Sequence, residues 1–249
     1  MQIAPRIPEI GQRDRFVKRV VTDGRVITLS DEAYAKVTSN RFPDRAVHLF
    51  WSSPKEAKRW AEALTGEART TEIALKDFAT SVLSDMIADK ALVGTDWVAD
   101  PIEAEVEAAD LLIRLKTEAA SGFLRALHEQ GHVFIVEGEG GPQVANHVRR
   151  GIDLKAVQIF AARGEAEWAM KKTGGKKVMA DPIADFLAST LPWAAARGHA
   201  VLMEPIPGAG TLDLAAEVLS QRLLAASLIQ PAAGAEPTGR RDTPRSGVA

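Results

Sequence analysis

Phe16-Val17-Lys18-Arg19-Val20-Val21-Thr22-Asp23-Gly24-Arg25-Val26-Ile27 and Phe123-Leu124-Arg125-Ala126-Leu127-His128-Glu129-Gln130-Gly131-His132-Val133-Phe134 read alike. In each, apolar residues at helical spacing run into a glycine and then into a β-type run. Gly24 and Gly131 stand where a helix closes on a left-handed residue. The likeness continues in order. Ala46-Val47-His48-Leu49-Phe50 lies beside Ala156-Val157-Gln158-Ile159-Phe160, Trp60-Ala61 beside Trp168-Ala169, Asp77-Phe78 beside Asp185-Phe186, Leu83 beside Leu191 and Val93 beside Val201. Matched identities in matched order mark an internal repeat, with an offset that drifts as short loop insertions would make it drift.

Working outward, each copy reads as strands alternating with helices. In the first, strands are expected near 25–29, 45–51, 69–73 and 91–96, and helices near 12–22, 54–64, 75–89 and 105–119. In the second, strands are expected near 132–136, 155–160, 176–180 and 199–204, and helices near 121–130, 163–172, 182–196 and 211–228. Leu75, Phe78, Ala79, Val82, Leu83 and Met86 form one helical stripe, repeated by Ile183, Phe186, Leu187, Thr190, Leu191 and Ala194. The expected fold class is α/β: two tandem homologous domains, 12–119 and 121–228, each a small mixed sheet of about four strands covered by helices. Ser53-Pro54-Lys55-Glu56 and Asp181-Pro182 supply helix starts. Pro192, where the first copy has Ser84, is expected to kink or end its helix early, so that the copies differ there. Residues 230–249, rich in Pro, Gly and Arg, are expected to be a disordered tail.

Composition narrows the chemistry. The 249 residues carry 31 Lys+Arg against 33 Asp+Glu, a formal charge of −2, which argues against a whole-protein nucleic-acid footprint. With no Cys there is no thiolate catalysis, thiolate zinc site, iron–sulfur cluster or disulfide scaffold. No apolar run approaches the roughly 20 residues that span a bilayer. Met1-Gln2-Ile3-Ala4-Pro5-Arg6 lacks the apolar stretch of a secretory signal, so the expected location is cytoplasmic, without membrane contact.

The stretch from Phe16 to about Lys116 resembles the bacterial family called domain of unknown function 2750. The residues that carry the resemblance are Leu29-Ser30-Asp31, Val47-His48-Leu49-Phe50-Trp51, Ser53-Pro54-Lys55-Glu56-Ala57, Trp60-Ala61 and Leu92-Val93-Gly94-Thr95-Asp96-Trp97. The second copy matches through the repeat and is degenerate, with Ala161 expected where Trp51 stands and Pro205 near the place of Trp97. A weaker likeness is to the N-terminal domain of enhanced serine sensitivity proteins. The resemblance implies a fold and assigns no catalytic residue.

Several motifs imitate chemistry. His128-Glu129-Gln130-Gly131-His132 satisfies H-E-x-x-H, which needs both His on one face of a continuing helix. Val133-Phe134-Ile135-Val136 follows, so His132 is expected to begin a strand. Ser52-Ser53-Pro54-Lys55 fits S-x-x-K and Lys172-Thr173-Gly174 fits K-T-G, but the first already reads as a helix cap. Lys171-Lys172-Thr173-Gly174-Gly175-Lys176-Lys177 offers phosphate contacts, against the plainer reading of a basic helix C-terminus. Glu137-Gly138-Glu139-Gly140-Gly141 reads as a loop, and His48, His147 and His199 stand isolated.

Trp60 and Trp168, shared by both copies, read as core. Trp51 and Trp97 are unshared and lie at strand ends, where sites gather. With Tyr34 they are the candidate binding residues; the competing reading makes them a core or edge plug. The expected function is a non-enzymatic binding or adaptor protein, regulatory or immunity-type, with no cofactor and no metal, whose partner is another protein. The alternatives are a zinc-dependent hydrolase using His128 and His132, and a small-ligand sensor at the domain interface.

Overall fold

A computed structural model describes residues 7–29, 34–64, 69–97, 105–149 and 151–228; the expected tail, 230–249, lies outside them. After α1 (Ile7–Asp23) come β1 (Arg25–Leu29), β2 (Lys36–Thr38), β3 (Ala46–Phe50), α2 (Pro54–Leu64) and β4 (Thr70–Ala74). Then α3 (Leu75–Asp77) passes through a π-helical turn (Phe78–Val82) into α4 (Leu83–Ala88), followed by β5 (Leu92–Thr95) and β6 (Val106–Glu107). β3 and β5 are parallel, β4 is antiparallel to β1, and β6 is antiparallel to β5. β1 meets β3 through Ile27 and Trp51, whose backbones exchange two hydrogen bonds of 2.8 Å, while β2 pairs with the opposite end of β3. The spatial order is β4-β1-β3-β5-β6.

α5 (Ala108–Gln130) leads into β7 (His132–Gly138), β8 (Gly141–Pro142), β9 (Val144–Arg149), β10 (Ile152–Phe160), α6 (Arg163–Thr173) and β11 (Lys177–Pro182). Next are α7 (Ile183–Asp185), a second π-helical turn (Phe186–Thr190), α8 (Leu191–Ala196), β12 (Ala200–Met203), β13 (Leu212–Ala215) and α9 (Ala216–Leu228). Their order is β11-β7-β10-β12-β13, with β9 on the free end of β10. Every pairing of the first half recurs with the same sense; β8 is the addition. Each half therefore has more strands than the sequence suggested: β2 and β6 in the first, and β8, β9 and β13 in the second, of which β9 spans six residues.

The strands bury both faces. In β3 the alternation sends Val47, Leu49 and Trp51 toward α2 and Phe50 toward α1, α4 and α5, where it meets Phe78 edge-on at 4.8 Å. In the second half Phe134, Val136 and Phe160 face α6, while Val133, Ile135 and Ile159 face α5, α8 and α9.

This register corrects the strand alignment expected from sequence. Val47 pairs with Leu92 as Ala156 pairs with Ala200, and Trp51 meets Ile27 as Phe160 meets Phe134. So Phe160, not Ala161, occupies the place of Trp51, and Ala161 occupies that of Ser52. A one-residue slip reverses every side chain of a strand, and only this register sends Phe50 and Ile159 into corresponding cores. The same structural offset holds through the next helix: Ala57 and Trp60 correspond to Ala166 and Ala169. Trp168 falls opposite Arg59 and is not core at all; it is 61% exposed, with the Lys172 ammonium 3.9 Å from its ring centroid.

Two further expectations change. Pro192 neither kinks nor ends its helix in a way the first half does not share, since both halves carry a π-helical turn just before the corresponding residue. There the widened turn already breaks the α ladder, so a residue without N–H is tolerated. And the helices expected at 105–119 and 121–130 are one helix, α5, of 23 residues. Its early turns put Leu111, Leu115 and Ala119 into the first core; its late turns put Ala120, Leu124 and Leu127 into the second. Ile206 and Ala209, from the loop between β12 and β13, also enter the first core. α5 thus plays toward α9 the part that α1 plays toward α5.

Because one helix fills both cores, denaturant unfolding should be a single transition, coincident by circular dichroism and tryptophan fluorescence. Residues 1–119 and 120–249 expressed apart should each lack that transition. Two separated transitions in the whole chain would show that α5 does not couple the halves.

Candidate functional site

The three sequence candidates separate. Trp51 is fully buried, its Nε1 donating to the carbonyl of Trp97 at 2.9 Å and its ring 5.5 Å from that of Trp60. Trp97 is 7% exposed and lies flat on the sheet over Gly94, where any Cβ would come within 2.8 Å of the indole. The structure therefore brings Trp51 and Trp97 together, but as packing beneath α2: indoles this buried present no surface to a partner. Tyr34 lies on the other face of the sheet, its ring 5.8 Å from Phe50 and its side chain at the surface.

The pair does mark the place where the first half gathers buried polar groups, at the carboxyl ends of the parallel strands β3 and β5. Asp96 follows β5 with φ of 51°, a left-handed conformation that Asp tolerates better than most residues. Its N–H donates to Phe50 O at 2.9 Å. Its carboxylate accepts Ser52 N–H at 2.6 Å and Ser52 Oγ–H at 2.9 Å, and Gln12 Nε2 donates to its carbonyl. Burial, reinforced by the nearby Glu56, outweighs the Ser52 bonds and pushes the carboxyl up to about 6. The ring of contacts fastens the turn after β5 to the first turn of α2. It is not a nucleophile site: the Ser52 hydroxyl is spent on the carboxylate, and His48, the first half's histidine, faces Lys36 and Asp89 instead. In the second half Ala161 replaces Ser52 and Glu204 replaces Asp96, so the clamp belongs to one half.

The second half offers a cleft in the corresponding place. Where Trp51 from the sheet and Trp60 from α2 fill the space between them, Phe160 and the α6 residue Ala169 leave a cavity of about 260 Å³ that opens against Val136, Val144, Ala145 and Gln158. Gln143 and Thr173 hold its rim: Gln143 Nε2 donates to Thr173 O at 2.9 Å and Thr173 Oγ1 donates to Gln143 Oε1 at 2.7 Å. A second, more open cavity of about 500 Å³ shares Gln143 and Val144 with the first. Residue patterning missed this cleft, since its signal is a loss of side-chain volume that appears only once the register is right.

The remaining motifs are placed plainly. His128 lies in the last turn of α5 and His132 opens β7, with Gly131 between them at φ of 77°. The His132 ring nitrogen Nδ1 lies 2.8 Å from Gln130 O, so the two histidines share no helix face. Among the described residues no three His, Asp or Glu side chains gather as metal ligands. No described helix is long and apolar enough to cross a membrane. His147 is not isolated: it and Arg149 lie 3.9 and 3.2 Å from Asp213.

Asp96 gives a pH test. Its folded value, about 6, exceeds its ordinary 3.8, so between those pH values the folded chain holds more proton than the unfolded one. Stability from this group is then greatest below that window and falls as pH rises through it, by on the order of 3 kcal/mol. Asp96→Asn keeps the shape and the acceptor for Ser52 N–H. Denaturant titrations should show a smaller fall between pH 4 and 7 in the variant than in wild type; equal slopes would remove Asp96 as the source.

Residues 13–115 match the family model described as a protein of unknown function (DUF2750), and no second stretch matches it. No curated protein matches the chain. A solved structure, Anabaena Tic22 (protein transport), is similar over 88% of this chain and 98% of its own at 12% identity, with a TM-score of 0.23. This chain carries one DUF2750 domain, at residues 13–115.

Proposed function

We propose that the protein is a ligand-binding protein rather than an enzyme, made of two copies of one domain. The first copy is closed and holds the fold; the second binds in the cleft beneath α6. The tandem reading is supported by the recurrent pairing order and by the corresponding π-helical turns. The binding reading is carried by one contrast: Trp60 stands over a filled interior, whereas Ala169 at the corresponding place stands over a cavity of about 260 Å³. Ligand sites are concave and mostly apolar, with a few polar groups that orient the guest. The cleft has that character, with Phe160, Val136 and Ala169 as floor and the Gln143–Thr173 pair as rim.

With Trp51 and Trp97 buried, the expected protein partner loses the residues that suggested it. The small-ligand alternative gains, at the second copy's own cleft rather than at the junction of the two.

The repeat supplies the test. Ala169→Trp restores the residue that the first copy has there and fills the cleft. Wild-type protein should bind anilinonaphthalene sulfonate with a saturable rise in fluorescence. Ala169→Trp should abolish that rise while unfolding at the same or a higher temperature. Unchanged dye binding in a folded variant would overturn the cleft as the site.

A further inference from the structure

We infer that the ligand of the α6 cleft is a small amphipathic anion, its apolar arm on Phe160 and Ala169 and its charged head at Arg197 and His199. This rests on the binding reading above and names what that site takes. The larger cavity adjoins the apolar one at Gln143 and Val144, where β10 leaves its pairing with β9 for β7. Its walls come from sequence far apart: the glycine-rich turn 138–141, Lys176 after α6, and Trp193, Arg197 and His199 at the end of α8.

Charge decides what fits there. Lys176 already faces Glu139 at 3.3 Å, and beside it Lys177 faces Glu137 at 2.8 Å. Arg197 and His199 have no carboxylate partner among the described residues. Both are instead held by Trp193: the guanidinium lies 4.7 Å from its ring centroid and donates to its carbonyl at 3.4 Å, and the imidazole packs edge-on at 5.5 Å. An arginine oriented by an aromatic face and lacking an acidic neighbour is a ready partner for a carboxylate or similar anion.

The fold does not require these residues. Lys90, at φ of 53°, and Gly198, at 64°, close the corresponding helices, which sets Asp85, Asp89 and Ala91 of the first copy against Trp193, Arg197 and His199. At these places the first half carries Asp85 and Asp89, and the cavity of about 340 Å³ at the end of its α4 is lined by Arg45, Lys90 and Glu107, whereas the second half carries Arg197 and His199. The two differences, apolar space and cationic rim, fall on adjoining surfaces of the same copy, as one guest with two ends would need.

Octanoate and octanol share an apolar arm and differ in the head. Titration calorimetry on the full chain should find octanoate the tighter by about tenfold, the worth of one charge-assisted contact. Arg197→Ala, a surface substitution, should bring octanoate to the level of octanol and leave octanol within about twofold. His199→Ala should act in the same direction, and Ala169→Trp should remove both ligands. If both probes bind wild type alike, or Arg197→Ala leaves octanoate unchanged, the head assignment falls while the cleft stands. If neither probe binds, the cleft reading itself falls.

Discussion

The structure depends on a change of phase within α5. At 100° per residue, Leu111, Leu115 and Ala119 project to one side of the helix, and Ala120, Leu124 and Leu127 to nearly the opposite side. No single apolar stripe runs its length. One half of the helix belongs to the first core and the other half to the second, so neither half of the chain can bury its interior without it. Lys116, beside the crossing, is half-buried, and that burial pulls its ammonium below the ordinary lysine range against the nearby Glu204. The loop that delivers Ile206 and Ala209 to the first core fastens the same junction from the other side.

That phase change explains what was legible in the sequence and what was not. The recurrent element order was legible because Gly24 and Gly131, and Phe78 and Phe186, hold corresponding backbone turns and core positions in the two halves. The same evidence misdivided α5, since an apolar stripe that moves to the opposite face reads as one helix ending and another beginning. The register of β10 misled for a different reason. Ala46-Val47 and Ala156-Val157 look alike, yet the drifting offset moves by one there, and the facing residues Leu92 and Ala200 were needed to see it. In the following helix the shared identity of Trp60 and Trp168 misled by one residue in the opposite sense, for one indole is core and the other exposed.

Once the positions are matched, the residues of the two halves separate into those that recur in the cores and those that differ. Leu111 and Leu115 correspond to Leu219 and Leu223, all buried, and Phe78 corresponds to Phe186, each opening a π-helical turn. The turn recurs with Pro192 in one copy and Ser84 in the other, so the surrounding packing, not the proline, sets it. Trp60 and Ala169, Ser52 and Ala161, and Asp96 and Glu204 differ on the α2 or α6 side, and Asp89 and Arg197 differ where α4 and α8 end. The side built from α1, α5 and α9 with the π-helical turns joins the two halves and keeps the same buried leucines and phenylalanines.

Divergence of this kind has an energetic logic. Replacing a buried tryptophan by alanine costs roughly 3–5 kcal/mol when the space stays empty, which is a large share of the stability of a domain. A lone domain with Ala169 in place of Trp60 would carry that loss unaided. Through α5 the second half packs against a first half whose interior is filled by Trp51, Trp60 and Trp97 and clamped at Asp96. Under the proposed binding role, α5 would let the filled first half support the half that carries the cavity, and a guest that binds only the folded chain would return part of the missing stability by mass action.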